Sequence, residues 1–275
     1  AADNATAPLT VQINPLKTTV EDLTAELESS GVIVRKHPWV PGCLELEHAG
    51  DLTALAPFQD GKFLVQDPAA RLVSQIAGVE PGMRVLDVCA APGGKSFAAA
   101  IAMGDRGEVV SCDIHPHKEK LIQAGAARLG LTCIQTEVLD GKSCKEEFLD
   151  SFDLVIADVP CSGLGIIRKK PDIRYKDPKP LENLPQVQAA ILDNVSRYVR
   201  PGGVLLYATC TLLERENEGV VRAFLDRCKD FTPERFQLPG EFEDAETGMV
   251  TCWPHRHDTD GFFFAKLRRT KDGDI

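Results

Sequence analysis

The chain has 275 residues, 43% hydrophobic and 26% charged, with a formal net charge of −10. That supports one large domain, or a domain with a smaller companion, and weighs against nonspecific nucleic-acid binding by the surface as a whole. No apolar run reaches bilayer length, the N-terminal "AADNATAPLTVQINPLK" lacks the order of a secretory leader, and nine cysteines include no C-x-x-C pair, so no membrane span, no metal and a reducing cytoplasm are expected.

In chain order, "LTVQIN", a helix over 19–29, "VIVRKH" and "CLELEH" read as β-α-β-β, half of a small split α/β unit. "FQDGKFLVQDPAARLVSQIAG" joins it to the main sheet, with a helix from about Pro68 whose Leu72, Ile76 and Val79 share one face. Strand-like and helix-like segments then alternate: "RVLDVCA", "SFAAAIAM", "EVVSCDI", "HKEKLIQAGAARLG", "TCIQTEV", an acidic loop and "FDLVIADV". A helix over 187–199 leads through "RPGG" into "VLLYATC", and another runs over 214–228. The alternation predicts a parallel sheet with helices on both faces, and "GMVTCWPHRHDTDGFFFAKLRR" predicts two strands that add an antiparallel edge.

The stretch "VLDVCAAPGGKS" ends in a P-loop-like Gly-Lys-Ser, but Cys89 stands where a P-loop needs its first Gly, and Gly-x-Gly-x-x-Gly is absent. An open sheet binds its ligand beyond the carboxyl ends of its strands. Those ends carry Asp87 with the turn Cys89, Ala90, Ala91, Pro92, Gly93, Gly94 and Lys95, then Asp113, Asp140, Asp158 with Cys161, and Cys210. Asp113 is placed to accept both hydroxyls of a ribose. Four carboxylates would repel a phosphate and suit a positively charged nucleoside-like ligand, which points to S-adenosylmethionine. Asp87 could instead cap its turn, Lys95 reads more as a helix-start residue than as a contact to a target base, and Cys89, Cys112 and Cys133 read as buried packing groups. His255 and His257 read as structural or RNA-contacting, not metal-binding. The basic run Arg168, Lys169, Lys170, Arg174, Lys176 and Lys179 would ordinarily be solvated surface.

"DVCAAPGGK", "DVPCSGLGIIRKKPDIR", "YATCTLLERENEGVV" and "HDTDGFFFAKLRR" together resemble the RNA (cytosine-5) methyltransferases of the NOL1/NOP2/Sun family, and most closely its bacterial 16S ribosomal RNA branch. The resemblance runs from about residue 10 to residue 269. It implies an α/β fold: a class I S-adenosylmethionine-dependent methyltransferase domain, Rossmann-like with a seven-stranded, mostly parallel sheet, over 61–270. A small RRM-like (ferredoxin-like) subdomain over 1–60 would precede it, and a tail over 271–275 would come after it. Full-length bacterial relatives commonly begin with a helical RNA-binding domain, so the chain, which lacks an initiator Met, is expected to be a catalytic fragment, and a monomer. By the family pattern Cys210 attacks cytosine carbon 6, Cys161 assists product release, and Asp158 bonds the cytosine N3/N4 edge. The Cys89–Lys95 turn, Asp113, Asp140 and Asp158 would hold the methyl donor, and Arg168, Lys169 and Lys170 would meet phosphates of 16S ribosomal RNA. The same chemistry on transfer RNA or large-subunit RNA, or a non-catalytic RNA-binding assembly factor, stay open on these motifs.

Overall fold

The computed structural model describes residues 7–175, 177, 179–240 and 242–271; Lys176 of the basic run and residues 272–275 of the expected tail lie outside them. The chain opens with β1 (Leu9–Ile13), α1 (Val20–Ser29), β2 (Ile33–Lys36) and β3 (Cys43–Glu47). Thr19 starts α1 by accepting from Asp22 N at 3.1 Å, and Leu23 and Leu27, one turn apart, bury the inward face. After the single turn α2 (Ala56–Gln59), β4 (Phe63–Val65) completes an antiparallel sheet in the order β2-β3-β1-β4. This fourth strand comes from the segment expected only to join the two parts; three residues are too few to show a period.

Next come α3 (Pro68–Ala77), β5 (Arg84–Asp87), α4 (Gly94–Ala102), β6 (Glu108–Asp113), α5 (Pro116–Leu129), β7 (Ile134–Val138), β8 (Phe152–Asp158) and α6 (Leu184–Val195). The chain continues with β9 (Val199–Thr209), α7 (Glu218–Arg227), β10 (Phe231–Pro233), β11 (Met249–Cys252), α8 (Pro254–His257) and β12 (Phe262–Arg269). Among the described residues the large sheet runs β10-β12-β9-β8-β5-β6-β7, with β11 also on β12: eight strands where the resemblance implies seven, because β10 and β11 share one edge. Strands β9, β8, β5, β6 and β7 are parallel, whereas β12 is antiparallel to β9. β12 is not itself the edge: β10 and β11 lie end to end along its outer side.

Both faces of this sheet are covered, which explains why its strands read as continuous apolar runs. Along β9, Leu206 and Ala208 pack toward α3 and α4, while Leu205 and Tyr207 pack toward α6 and α7. Ile191, Leu192 and Val195 anchor α6 on that second face, each burial contributing roughly 1.5–3 kcal/mol at most. α6 starts and ends earlier than its sequence suggests, and β9 takes in the Arg-Pro-Gly-Gly segment; a register shift between Phe152 and Leu154 accommodates it. Asn14 donates to Gly61 O and Leu129 O, both at 3.0 Å, tying the small sheet to the end of α5.

The order of the strands reverses between β5 and β8. Such a switch point leaves a crevice at the carboxyl ends, and there the chemistry-bearing residues gather.

Candidate active site

The turn after β5 is pinned from both sides. Val88 N donates to Ile156 O at 3.0 Å and Ala90 N to Cys112 O at 2.8 Å, so Cys89, Ala90 and Ala91 sit over the ends of β8 and β6. Pro92 comes after a cis peptide bond, and Gly93, at φ +112°, caps α4 where a Cβ would meet the Phe97 ring at 2.3 Å. Gly94 O accepts from Gln66 Nε2 at 3.0 Å. Asp87 lies beneath, fully buried, accepting from Ser96 Oγ at 2.7 Å, and Ser111 Oγ donates to Ser96 Oγ at 2.8 Å. Burial pushes its carboxyl up to about 7. Its other oxygen has no hydrogen-bond partner. Asp87 thus braces α4 from below.

Asp113 ends β6, buried, with His115 N donating to it at 3.0 Å and Lys118 Nζ at 3.4 Å. Asp140 lies two residues beyond β7 and accepts from Lys142 N at 3.0 Å. The left-handed Gly turn, the unpartnered oxygen of Asp87 and these carboxylates fit a ligand with ribose hydroxyls and a positive centre, and the amide-bearing start of α4 suits a carboxylate on the same ligand. Cys89 and Cys112 are held well above the ordinary thiol pKa by burial, as inert packing cysteines should be.

The reactive groups lie one strand over. Lys95, on the first turn of α4, is only 12% exposed and pairs with Asp158, at the end of β8, at 2.5 Å. Its ammonium also stands 5.4 Å from the Phe262 ring centroid. Burial would lower this lysine, but the Asp158 carboxylate overrides it and holds Lys95 above its ordinary value. Of the two sequence readings of Lys95, helix start or contact to a target base, its position is that of the helix-start residue. The loops after β8 and β9 bring Cys161 and Cys210 together, Sγ to Sγ at 3.3 Å. The hydrogen bond shared with Cys161 holds the Cys210 thiol below its usual pKa against the opposing effect of burial, with Lys95 helping and Asp158 resisting. The same bond, with burial, raises Cys161. The pair is therefore asymmetric, with the shared hydrogen bond and Lys95 favouring the thiolate at Cys210.

The cations of the basic run divide. Arg168 is 5% exposed, bonded to Asp260 at 3.1 Å with Asp258 at 3.8 Å, and Lys169 bridges Asp67 at 2.6 Å and Asp260 at 2.7 Å. Lys170 faces solvent. His257 Nδ1 accepts from Trp253 N at 2.8 Å and its ring stacks on Phe242. Sequence reasoning missed the buried Ser162, Gln188, Thr211, Glu216 and Asn217, which surround both thiol loops; the only signal was a Glu-Asn pair inside a charged "ERENE" that reads as an ordinary helix start.

A doubly covered parallel sheet with a Gly turn, acidic strand ends and its crevice at the switch point is the layout of a class I methyltransferase. The chain belongs to the 16S rRNA methyltransferase RsmB/F family, matched over residues 75–268, and residues 1–53 match the ferredoxin-like domain of RsmF/B-like methyltransferases. It is 36% identical over 266 residues to the Bacillus subtilis (strain 168) protein named "Probable ribosomal RNA small subunit methyltransferase B", covering 94% of this chain and 59% of that one. The chain thus spans about three fifths of the length of such curated relatives. Among solved structures, that of PH0851 superposes with a TM-score of 0.92 at 31% identity, covering 98% of this chain and 61% of the other. A methyltransferase homolog from Pyrococcus horikoshii superposes with a TM-score of 0.84 at 26% identity, covering 98% and 88%.

Proposed function

We propose that this chain is the catalytic part of an S-adenosylmethionine-dependent enzyme that methylates carbon 5 of a cytosine in 16S ribosomal RNA through a covalent adduct. The observation that carries the reading is the thiol pair: Sγ to Sγ at 3.3 Å, one sulfur held toward thiolate, beside the Lys95–Asp158 pair. The family membership supports the RNA class, and the bacterial relatives it resembles carry small-subunit ribosomal RNA in their names.

Carbon 5 of cytosine is a poor nucleophile. Addition of the Cys210 thiolate to carbon 6 moves the ring electrons onto carbon 5 as an enamine and divides a difficult step into two. Asp158, partly exposed beyond its lysine, would bond the N3/N4 edge and favour the protonated ring, while Lys95 would keep both anionic groups compatible. Asp113, Asp140 and the Cys89–Lys95 turn would hold S-adenosylmethionine, whose sulfonium-bound methyl group is the electrophile supplied when it is bound. After transfer, a base takes the carbon 5 proton, and the electrons of that C–H bond re-form the C5–C6 double bond and expel Cys210 as thiolate. As a thioether Cys210 would accept a bond from Cys161 only weakly, which would free that thiol to act at release. Lys170 supports the phosphate-contact reading of the basic run directly. Arg168 and Lys169, neutralised by Asp67 and Asp260, would instead shape the loop that presents it.

The test is methyl transfer from labelled donor to 16S ribosomal RNA, free and in small subunits, with chromatography of the digested nucleosides. Label in 5-methylcytidine is the expected result. Label in another nucleoside, or preference for transfer or large-subunit RNA, would overturn the chemistry or the substrate respectively.

A further inference from the structure

The residues flanking each thiol are held by two consecutive side chains just before α7, directly or, at Pro160, through Gln188 of α6. Around Cys210, Thr209 Oγ1 donates to Asn217 Oδ1 at 2.6 Å and Asn217 Nδ2 donates to Thr211 O at 3.0 Å. Around Cys161, Ser162 N donates to Glu216 Oε2 at 2.8 Å, and Gln188 Nε2 links that same oxygen, at 3.0 Å, to Pro160 O, also at 3.0 Å. A cross-tie joins the two loops, Ser162 Oγ to Thr211 Oγ1 at 2.7 Å, and Tyr207 OH fixes the Glu216 carbonyl at 2.6 Å.

Glu216 is fully buried, forms no ion pair among the described residues, and leaves its Oε1 without a hydrogen-bond partner. A buried carboxylate in that state costs stability that a neutral side chain of similar size would not. Packing alone does not explain it; the amide of Ser162 and the amide of Gln188 do, since a carboxylate oxygen accepts both strongly. The backbone independently fixes the Cys210 carbonyl at Gly165, whose N–H donates to Cys210 O at 2.9 Å and where a Cβ would strike Gly261 O at 2.0 Å.

The geometry points to Glu216 and Asn217 as positioning residues: a two-residue brace that sets the separation of the Cys161 and Cys210 sulfurs and thereby the hydrogen bond that activates Cys210. The brace acts on the thiol pair of the proposed reaction and so rests on that reading for its purpose. Its physical effect needs neither RNA nor donor, so the two can fail separately.

The test is the rate of Cys210 alkylation by iodoacetamide, monitored by peptide mass spectrometry across pH on the full chain. Cys161→Ala gives the rate without the partner thiol. Glu216→Ala and Asn217→Ala should each slow alkylation at neutral pH about tenfold, one pKa unit, toward that rate. Glu216→Gln, which keeps an acceptor oxygen, should recover most of the loss. Combined with Cys161→Ala, neither alanine variant should slow the reaction further, because the effect runs through Cys161. If Glu216→Ala does not fold, Gln188→Leu cuts the tie to Pro160 with Glu216 in place and should slow alkylation in the same way. Wild-type rates in the folded variants, or additive slowing in the Cys161→Ala background, would overturn the brace.

Discussion

The two partners of the Lys95–Asp158 pair should have opposite effects on Cys210 although their loss harms the fold alike. Lys95→Met removes the cation that favours the Cys210 thiolate and leaves the opposing Asp158 charge uncompensated; Asp158→Asn removes the opposing charge and leaves the cation. At an effective dielectric near 20 a unit charge about 5 Å away is worth about 3 kcal/mol, so a shift of about two pKa units is expected, upward for Lys95→Met and downward for Asp158→Asn. Breaking a buried pair from either side costs about 3–5 kcal/mol, a fall in Tm of roughly 6–20 °C for a chain of this size. Because the folded pKa of Lys95 is raised, that stability is fully present below the unfolded lysine value of about 10.4 and is lost as pH rises through the folded value. The deficit of both variants should therefore be flat through neutral pH and narrow only in alkali. The assay pairs thermal unfolding with the pH profile of Cys210 alkylation. Movement of both alkylation midpoints in one direction would refute the electrostatic account of the site.

Four further outcomes rest on the same geometry. Cys210→Ala should form no covalent complex with RNA, whereas Cys161→Ala should keep its attacking thiol, fail at release and accumulate a complex stable on denaturing gels; the reverse pattern would exchange the two roles. Asp113→Ala should weaken donor binding about 10–150-fold in calorimetry, the worth of one charge-assisted hydrogen bond of ~1.5–3 kcal/mol, and unchanged affinity in a folded variant would remove Asp113 from the site. Lys170→Ala should reduce the slope of RNA affinity against salt by about one unit without touching donor affinity, while an unchanged slope would return Lys170 to plain surface. The bonds from Arg268, with Lys266, hold Glu234 down at about 2, so its contribution is present above the unfolded value of 4.5 and is lost as pH falls toward 2. Discounted for partial exposure this is about 1 kcal/mol, and Glu234→Gln should show a correspondingly shallower acid loss in denaturant titrations.

Much of the architecture was legible because the large sheet is buried on both faces. Runs such as "FDLVIADV" and "VLLYATC" have to be strands of a doubly covered sheet, and the helices between them announce parallel connections. What escaped were pieces whose existence depends on distant partners. β4 and β10 have three residues each and owe their strand geometry to β1 and β12. The start of β9 runs through Arg-Pro-Gly-Gly, a sequence that locally favours a turn and is overridden by pairing of Val199 with Phe152.

The candidate site divides along a similar line. Residue types at strand ends are a property of sequence and topology, so Asp87, Asp113, Asp158, Cys161 and Cys210 could be placed around one crevice before any coordinates. The protonation state of a thiol is a property of its neighbours within a few ångströms. The 3.3 Å approach of the sulfurs and the lysine that favours the thiolate at Cys210 give different surroundings to two thiols that the residue types alone present as near equals. The basic run teaches the converse. Arg168, Lys169 and Lys170 are indistinguishable as adjacent cations, yet Asp67, roughly a hundred positions away, and Asp258 and Asp260 near the other end of the chain neutralise two of them. A charge that looked available to phosphate is already engaged in fastening the loop after Cys161 to the segment before β12. In an acidic protein, local positive charge attracts RNA only where its own carboxylates leave it unpaired.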